Sequence, residues 1–344
     1  MDLSILICTH NSGKRIVDTL QHLQSQKGVN EISWEVLIVD YISTDGTIEI
    51  AKAGWSAEYV PLICINEHRA GKTPALETGL KFARGEAICI IDDDNWADES
   101  YVMIAHNTIK ANPEIGVIGA YGEAHCEIDP PEWFYKVPGA YAVGSQGSKQ
   151  GYIDGNRNLS FWGAGSVIRR DAWLKAKRNG FVPILNPTRG EDGVLISKGF
   201  TAGEDGELCY AIQLVGFRLW YEPNLKYKHF IPKERLTTNF YNNAVAGSAA
   251  VMPLIRLYLA AVTPQSYLGK IRRIIYENWV VHMLYILARF AQSIGKILTI
   301  GHLNKPLELN KVYNKYMSEM RGLWQLRLIY DNLKMSIAKI SKLN

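Results

Sequence analysis

Short apolar runs separated by amphipathic stretches organise the first 120 residues. Residues 3–8, 35–40, 60–65 and 87–91 are rich in Ile, Leu, Val and Cys with few polar interruptions, the pattern of strands buried on both faces. Residues 15–26 place Ile16, Leu20 and Leu23 at helical spacing, and 73–84 also read as a helix. Ser43-Thr44-Asp45-Gly46-Thr47 is a turn whose polar side chains suit the cap of a following helix. Residues 115–119 form a fifth strand. Strands alternating with helices predict βαβ units, hence an α/β fold with a mostly parallel central sheet flanked by helices.

The pattern breaks at residues 130–165, where Pro, Gly, Trp and Tyr predict a long binding loop. Strand character returns over 162–170, a helix is expected over 207–214, and 218–221 reads as a short strand leading to His229. Beyond Pro232 the chain is helical. Residues 244–262 are nearly apolar but contain Pro253 and Arg256; 279–288 are apolar but for His282 and stop at Arg289. Neither reaches the roughly 20 clean apolar residues of a spanning helix. Two readings stay open, a packed helical bundle or helices lying in a membrane interface beside Arg272, Arg273, Arg289 and Lys296.

Charge sharpens the division. The net +4 of the 344-residue chain is uneven: residues 233–344 hold 16 Lys+Arg against 5 Asp+Glu, and residues 1–232 hold 22 against 29. An acidic front suits metal binding, and a basic, apolar tail suits an anionic surface. The expected organisation is an α/β unit over 1–232, itself divided near residue 120, and a helical, basic region over 233–344. Five scattered cysteines without metal-type spacing, and a first strand starting at Leu3, predict a reducing, cytoplasmic setting without a signal peptide.

The chemistry gathers at strand ends. Thr9-His10-Asn11 ends the first strand, Asp40 the second, and Asp92-Asp93-Asp94 follows the fourth. In a parallel sheet these ends share the edge where α/β proteins bind ligands. Adjacent carboxylates repel unless a cation or hydrogen-bond donors offset them, and hard oxygen ligands suit Mg²⁺ or Mn²⁺ carrying a phosphate. A solvated acidic turn is the plain alternative. No G-x-G-x-x-G and no Walker lysine loop is present, which argues against a dehydrogenase and a P-loop ATPase.

Cys8-Thr9-His10-Asn11-Ser12, Val39-Asp40 with Ser43-Thr44-Asp45-Gly46-Thr47, Asp92-Asp93-Asp94-Asn95 and Gly203-Glu204-Asp205, in that order, resemble the family 2 glycosyltransferases of GT-A fold over about residues 1–235. The resemblance implies that Asp40 binds the base, that Thr9, His10 and Asn11 line the nucleotide pocket, and that Asp92 faces the ribose. Asp94 would coordinate the metal, with Asp93 beside it on the nucleotide side. Asp205, paired with Glu204, would be the general base, favoured over Asp192 in the repeat Gly190-Glu191-Asp192-Gly193 because a helix follows it. His229 would complete the metal or pyrophosphate shell, with Lys233 and Arg235 near the phosphates. Lys72 and Arg69 would meet the donor, and Trp162 and Trp133 would stack on acceptor sugars. Tyr41-Ile42 departs from the family, which often has Asn after the base-binding Asp. No Gln-x-x-Arg-Trp element is present, against a processive synthase.

The expected activity is a metal-dependent, inverting, non-processive transfer, using Mn²⁺ or Mg²⁺, from a nucleotide-sugar, UDP-linked by expectation. The acceptor would be a glycan or a polyprenyl-diphosphate-linked glycan of surface polysaccharide synthesis. Residues 233–344 would touch the inner face of the membrane, and no nucleic acid is expected as partner. The alternatives are a non-catalytic nucleotide-sugar-binding scaffold and a sugar nucleotidyltransferase.

Overall fold

The computed structural model describes residues 1–153, 160–185, 202–263, 267–299 and 305–342. In chain order the elements are β1 (Leu3–Thr9), α1 (Ile16–Gln24), β2 (Trp34–Tyr41), α2 (Thr47–Gly54), β3 (Leu62–Glu67), α3 (Lys72–Phe82), β4 (Ala87–Ile90), β5 (Asn95–Ala97), α4 (Tyr101–Ala111) and β6 (Ile115–Cys126). There follow β7 (Gly151–Tyr152), β8 (Ser166–Arg169), α5 (Arg170–Arg178), α6 (Glu204–Leu214) and β9 (Arg218–Ile231). The last five are α7 (Thr238–Val262), α8 (Tyr267–Tyr276), α9 (Trp279–Thr299), α10 (Lys305–Leu326) and α11 (Tyr330–Lys342).

One sheet runs β3-β2-β1-β4-β8-β6-β9-β5, with β7 on β9. β3, β2, β1 and β4 are parallel, as their apolar runs predict. β8 then lies antiparallel between β4 and β6, and β5 and β7 lie antiparallel on β9. The sheet is therefore mixed: parallel over β3-β2-β1-β4, with antiparallel β8 joining it to a parallel β6–β9 pair that carries antiparallel β5 and β7. Ile5, Leu6 and Ile7 are fully buried between the two helical layers, each worth about 1.5–3 kcal/mol.

Three boundaries differ from the sequence reading. β6 extends to Cys126 and pairs in parallel with β9 down to Ile231, so His229 lies inside a long strand rather than after a short one. Pro223 interrupts β9 where its register with β6 shifts, which is where a proline is tolerated. Finally, α6 begins at Glu204, three residues earlier than expected, because Gly203 caps it at φ +98°, a conformation open to glycine.

The C-terminal helices pack onto the α/β unit. Val251, Leu254, Leu257 and Tyr258 of α7 join one core with Tyr210, Ile212 and Leu214, so hydrophobic packing runs across residue 232. At this junction Glu207, fully buried, accepts hydrogen bonds from the Ile184 and Leu185 amides at 3.0 and 2.9 Å and from Tyr258 Oη at 2.9 Å. Glu207→Ala strands three buried donors, and we expect a loss of about 2–4 kcal/mol of stability, read as a lower denaturant midpoint. α7 is the one helix among the described residues with the length and hydropathy of a membrane span. It instead packs against α6, α8, α10 and α11.

Candidate active site

The carboxyl ends of β1, β2 and β4 form one edge. Register sets Thr9 beside Asp40, and Asp40 beside Asn66 of β3. Asp40 is buried and accepts from the Ser43 hydroxyl; burial raises its pKa against that bond. It opens into a cleft of about 590 Å³ lined also by Ile42, Thr47, Cys64, Asn66 and His68. His10 stacks on Tyr41 at 5.2 Å and holds the Tyr41 carbonyl at 2.7 Å through Nδ1. The Asn11 amide donates to Ser43 Oγ, and Asn11 Oδ1 accepts from the Thr44 amide, tying the β1 end to the β2 turn.

Ile42 sits at φ +61°. A β-branched side chain is disfavoured there by about 1–2 kcal/mol, whereas Asn or Gly adopts it readily. Ile42, one position beyond the residue where the family often has Asn, thus holds a backbone shape that glycine would adopt without strain.

The three aspartates diverge, each to its own cation. Asp92 Oδ1 pairs with Lys72 Nζ at 2.6 Å. Asp93 turns toward α1, where it accepts from Thr9 Oγ1 at 2.7 Å and pairs with Arg15 at 3.3 Å. Thr9 is itself fully buried, so its hydroxyl is committed to Asp93 and Ser12. Asp94 meets His229 Nε2 at 3.5 Å and Arg235 Nη1 at 3.1 Å. The antiparallel register that puts Asn95 opposite His229 places Asp94 beside the imidazole.

His229 Nδ1 lies 2.6 Å from the Tyr141 carbonyl, which fixes the ring and turns Nε2 toward Asp94. Burial alone would raise the Asp94 pKa, but His229 and Arg235 hold it well below the usual carboxylate range. Burial lowers the His229 pKa, and Asp94 more than reverses this. One buried carboxylate and one oriented imidazole nitrogen fit a divalent ion that takes its other ligands from a diphosphate and water. No cluster of three or more His, Cys, Asp or Glu able to hold a metal occurs among the described residues.

Glu204 and Asp205 occupy the first turn of α6, where the helix dipole favours negative charge. Burial pushes Glu204 up to about 7, helped by Asp205 and opposed by Lys72. Burial also raises Asp205, while Lys72 and the Gly163 amide, which donates to its carboxylate, lower it. A Cβ at Gly163 would sit 2.2 Å from Asp205 Oδ1, so only glycine permits this approach. Lys72 lies between Asp92 and the Glu204–Asp205 pair, feeling the charge of all three. Lys72, expected to meet the donor, is thus the link between the two acidic groups.

The remaining candidates fall elsewhere. Arg69 is held by Glu67 at 2.8 Å, and that pair draws the Glu67 carboxyl down to about 2. Trp162 precedes Gly163 and packs near Gly139. Trp133 is half-buried against Tyr241, 5.8 Å between ring centroids. The Lys233 amide donates to Glu127. The Gly190–Gly193 repeat with Asp192 lies outside the described residues. Arg15, Asn66, Tyr141 and Gly163 were missed by the sequence reading; each acts through a contact remote in sequence that no local motif announces.

Residues 4–173 match the family model described as Glycosyl transferase family 2. Glycosyltransferase GlyG of Streptococcus pneumoniae is 28% identical over 133 residues, 39% of this chain and 43% of that protein. Dolichyl-phosphate beta-glucosyltransferase ALG5D of Trichomonas vaginalis is 26% identical over 128 residues, 34% of this chain and 39% of that protein. These matches span less than half the length of either curated relative. Among solved structures, S. aureus TarS 1–349 in complex with UDP-GlcNAc superposes with TM-score 0.57 at 16% identity, covering 99% of this chain and 91% of that one. Mannosyltransferase PcManGT from Pyrobaculum calidifontis, in complex with GDP-Man and Mn²⁺, gives 0.53 at 18% identity, covering 98% and 85%. The fold is GT-A, and residues 4–173 form a glycosyl transferase family 2 domain.

Proposed function

We propose that this protein is a metal-dependent, inverting glycosyltransferase that moves a sugar from a nucleotide-sugar, most simply a UDP-sugar, to a glycan or polyprenyl-diphosphate-linked acceptor. The observation that carries this reading is the gathering of Asp92, Glu204 and Asp205 around Lys72, with Asp94 paired to His229 in the same turn as Asp92 and Asp40 at the end of the neighbouring strand β2. The nucleotide-sugars bound in the two structural neighbours support the donor class, one with UDP and the other with GDP.

In this reading Asp40 and the cleft beside it take the base, and Asp92 the ribose. Asp94 and His229 would hold Mn²⁺ or Mg²⁺, which when bound offsets the charge of the departing diphosphate. Asp205 takes the proton from the acceptor hydroxyl as that oxygen attacks the anomeric carbon, so a single displacement inverts the configuration. Arg235, already beside Asp94, supplies a further cation next to the phosphates. Asp93 and Thr9 hold the β4 turn in place, and Trp162, next to Gly163, offers an aromatic face to the acceptor. Residues 1–232 form the catalytic part and 233–344 an accessory helical part, at work on the cytoplasmic side of a membrane as part of surface polysaccharide synthesis.

A thermal-shift series with UDP, GDP and their sugars, with and without Mn²⁺, tests the donor assignment. A metal-dependent rise in unfolding temperature is expected with one nucleotide class. Asp40→Ala should weaken that binding by roughly tenfold or more, the loss of a buried, charge-assisted contact. No shift with any nucleotide would remove the assignment.

A further inference from the structure

We propose that the outer face of α8 and α9 is a docking surface for an anionic lipid bilayer, with α9 lying in the interface rather than crossing it. Val280, Leu284, Leu287 and Leu298 are 48%, 61%, 43% and 58% exposed. They fall on one stripe of α9, with the small exposed residues Ala288, Ala291 and Gly295 between them. The opposite stripe is engaged in packing: His282 and Ile286 are buried, and Phe290 lies against Tyr316 of α10. A helix held along one side by protein cannot span a bilayer alone, but it can lay its other side into one. Ile271 and Ile274 extend the exposed apolar surface onto α8.

Charge selects the occupant. From Arg235 to Leu307 the chain carries eight Lys or Arg and a single acid, Glu277. Lys270, Arg289 and Lys296 are exposed on the same two helices as the apolar residues. Lys270 borders Ile271 and Ile274, while Arg289 and Lys296 lie round α9 toward its packed side, so the apolar stripe is bordered by cations whose long side chains suit anionic headgroups over acyl chains. A second copy of the same face would bring like charges together instead. Trp324, 53% exposed with Arg327 stacked at 3.9 Å, stands beside Trp279 at the start of α9, as aromatic residues do at the headgroup level.

The test uses the full chain and vesicles of phosphatidylcholine with or without phosphatidylglycerol, in the absence of donor and acceptor, so its outcome is separable from transfer activity. Binding is expected only with phosphatidylglycerol and should weaken as salt rises. Leu284→Glu with Leu287→Glu should reduce it by roughly tenfold or more. Lys270→Gln with Lys296→Gln, which leaves the apolar stripe intact, should weaken it and flatten its salt dependence. An unchanged nucleotide-induced thermal shift controls for folding. The proposal falls if the wild-type chain ignores phosphatidylglycerol vesicles or if the Leu284/Leu287 variant binds them as well as the parent. It falls equally if light scattering shows a dimer that this variant dissolves while vesicle binding persists.

Discussion

Asp205→Asn is expected to lower kcat by roughly 10²–10⁴, the usual contribution of a positioned general base, while nucleotide binding stays at the wild-type level. Asp205 is the buried carboxylate that Gly163 admits to within hydrogen-bonding distance of its amide, and it shares Lys72 with Asp92. Removing its charge leaves Lys72 paired with Asp92 at 2.6 Å, so the donor side keeps its geometry. The pH profile carries a second signature. Burial raises Glu204 to about 7 and raises Asp205 as well, which favours their neutral forms to higher pH than an ordinary carboxyl. The basic form of Asp205 fills as pH rises, so the acid limb of kcat/KM for the wild type should lie at higher pH than an ordinary aspartate would give. In the Asn variant that acid limb should flatten, because the group that must ionise is gone. Steady-state rates across pH, with isothermal titration of the nucleotide, check both statements.

Asp94→Ala should cost on the order of 10³-fold or more in turnover, since it removes the one buried carboxylate aligned with His229 and several kcal/mol of charge compensation depend on it. Chelation of the metal should bring the wild type down to a similar level. Unlike Asp205→Asn, this change should also weaken diphosphate-containing ligands and abolish the Mn²⁺ dependence of their binding. Arg235 bears on the same point, because its guanidinium already sits 3.1 Å from Asp94. In Asp94→Ala that cation remains, so residual nucleotide binding should become insensitive to metal. Titration of the nucleotide with and without Mn²⁺ measures this directly; a retained metal effect would take Asp94 out of the metal site.

The front half of the fold was legible because buried parallel strands write themselves as apolar runs: β1, β2 and β4 were placed within a residue or two at each end. β9 was not, because Glu222-Pro223-Asn224 interrupts its run just where the register with β6 shifts. The alternation beyond it was nonetheless written in the chain, with buried Tyr227, His229 and Ile231 between the exposed Lys226 and Lys228 and the half-buried Phe230. Antiparallel β8 escaped the mostly parallel expectation since strand direction leaves no mark on four residues. The polar ends of β1, β2 and β4 announced themselves by position. Which aspartate takes which cation did not, because Arg15, Lys72 and His229 reach the triplet from three separate elements. Gly163 is the clearest case: its need for a missing side chain arises only from Asp205, 42 residues later.

The proposed transfer releases a nucleoside diphosphate as the sugar leaves it. The most direct measurement is ³¹P NMR of the full chain with the nucleotide-sugar that gives the largest thermal shift, Mn²⁺ and a glycan acceptor. Nucleoside diphosphate should accumulate with the wild type and fall to near the uncatalysed level with Asp205→Asn. Pyrophosphate in its place, or an undiminished diphosphate signal from the Asn variant, would contradict the account.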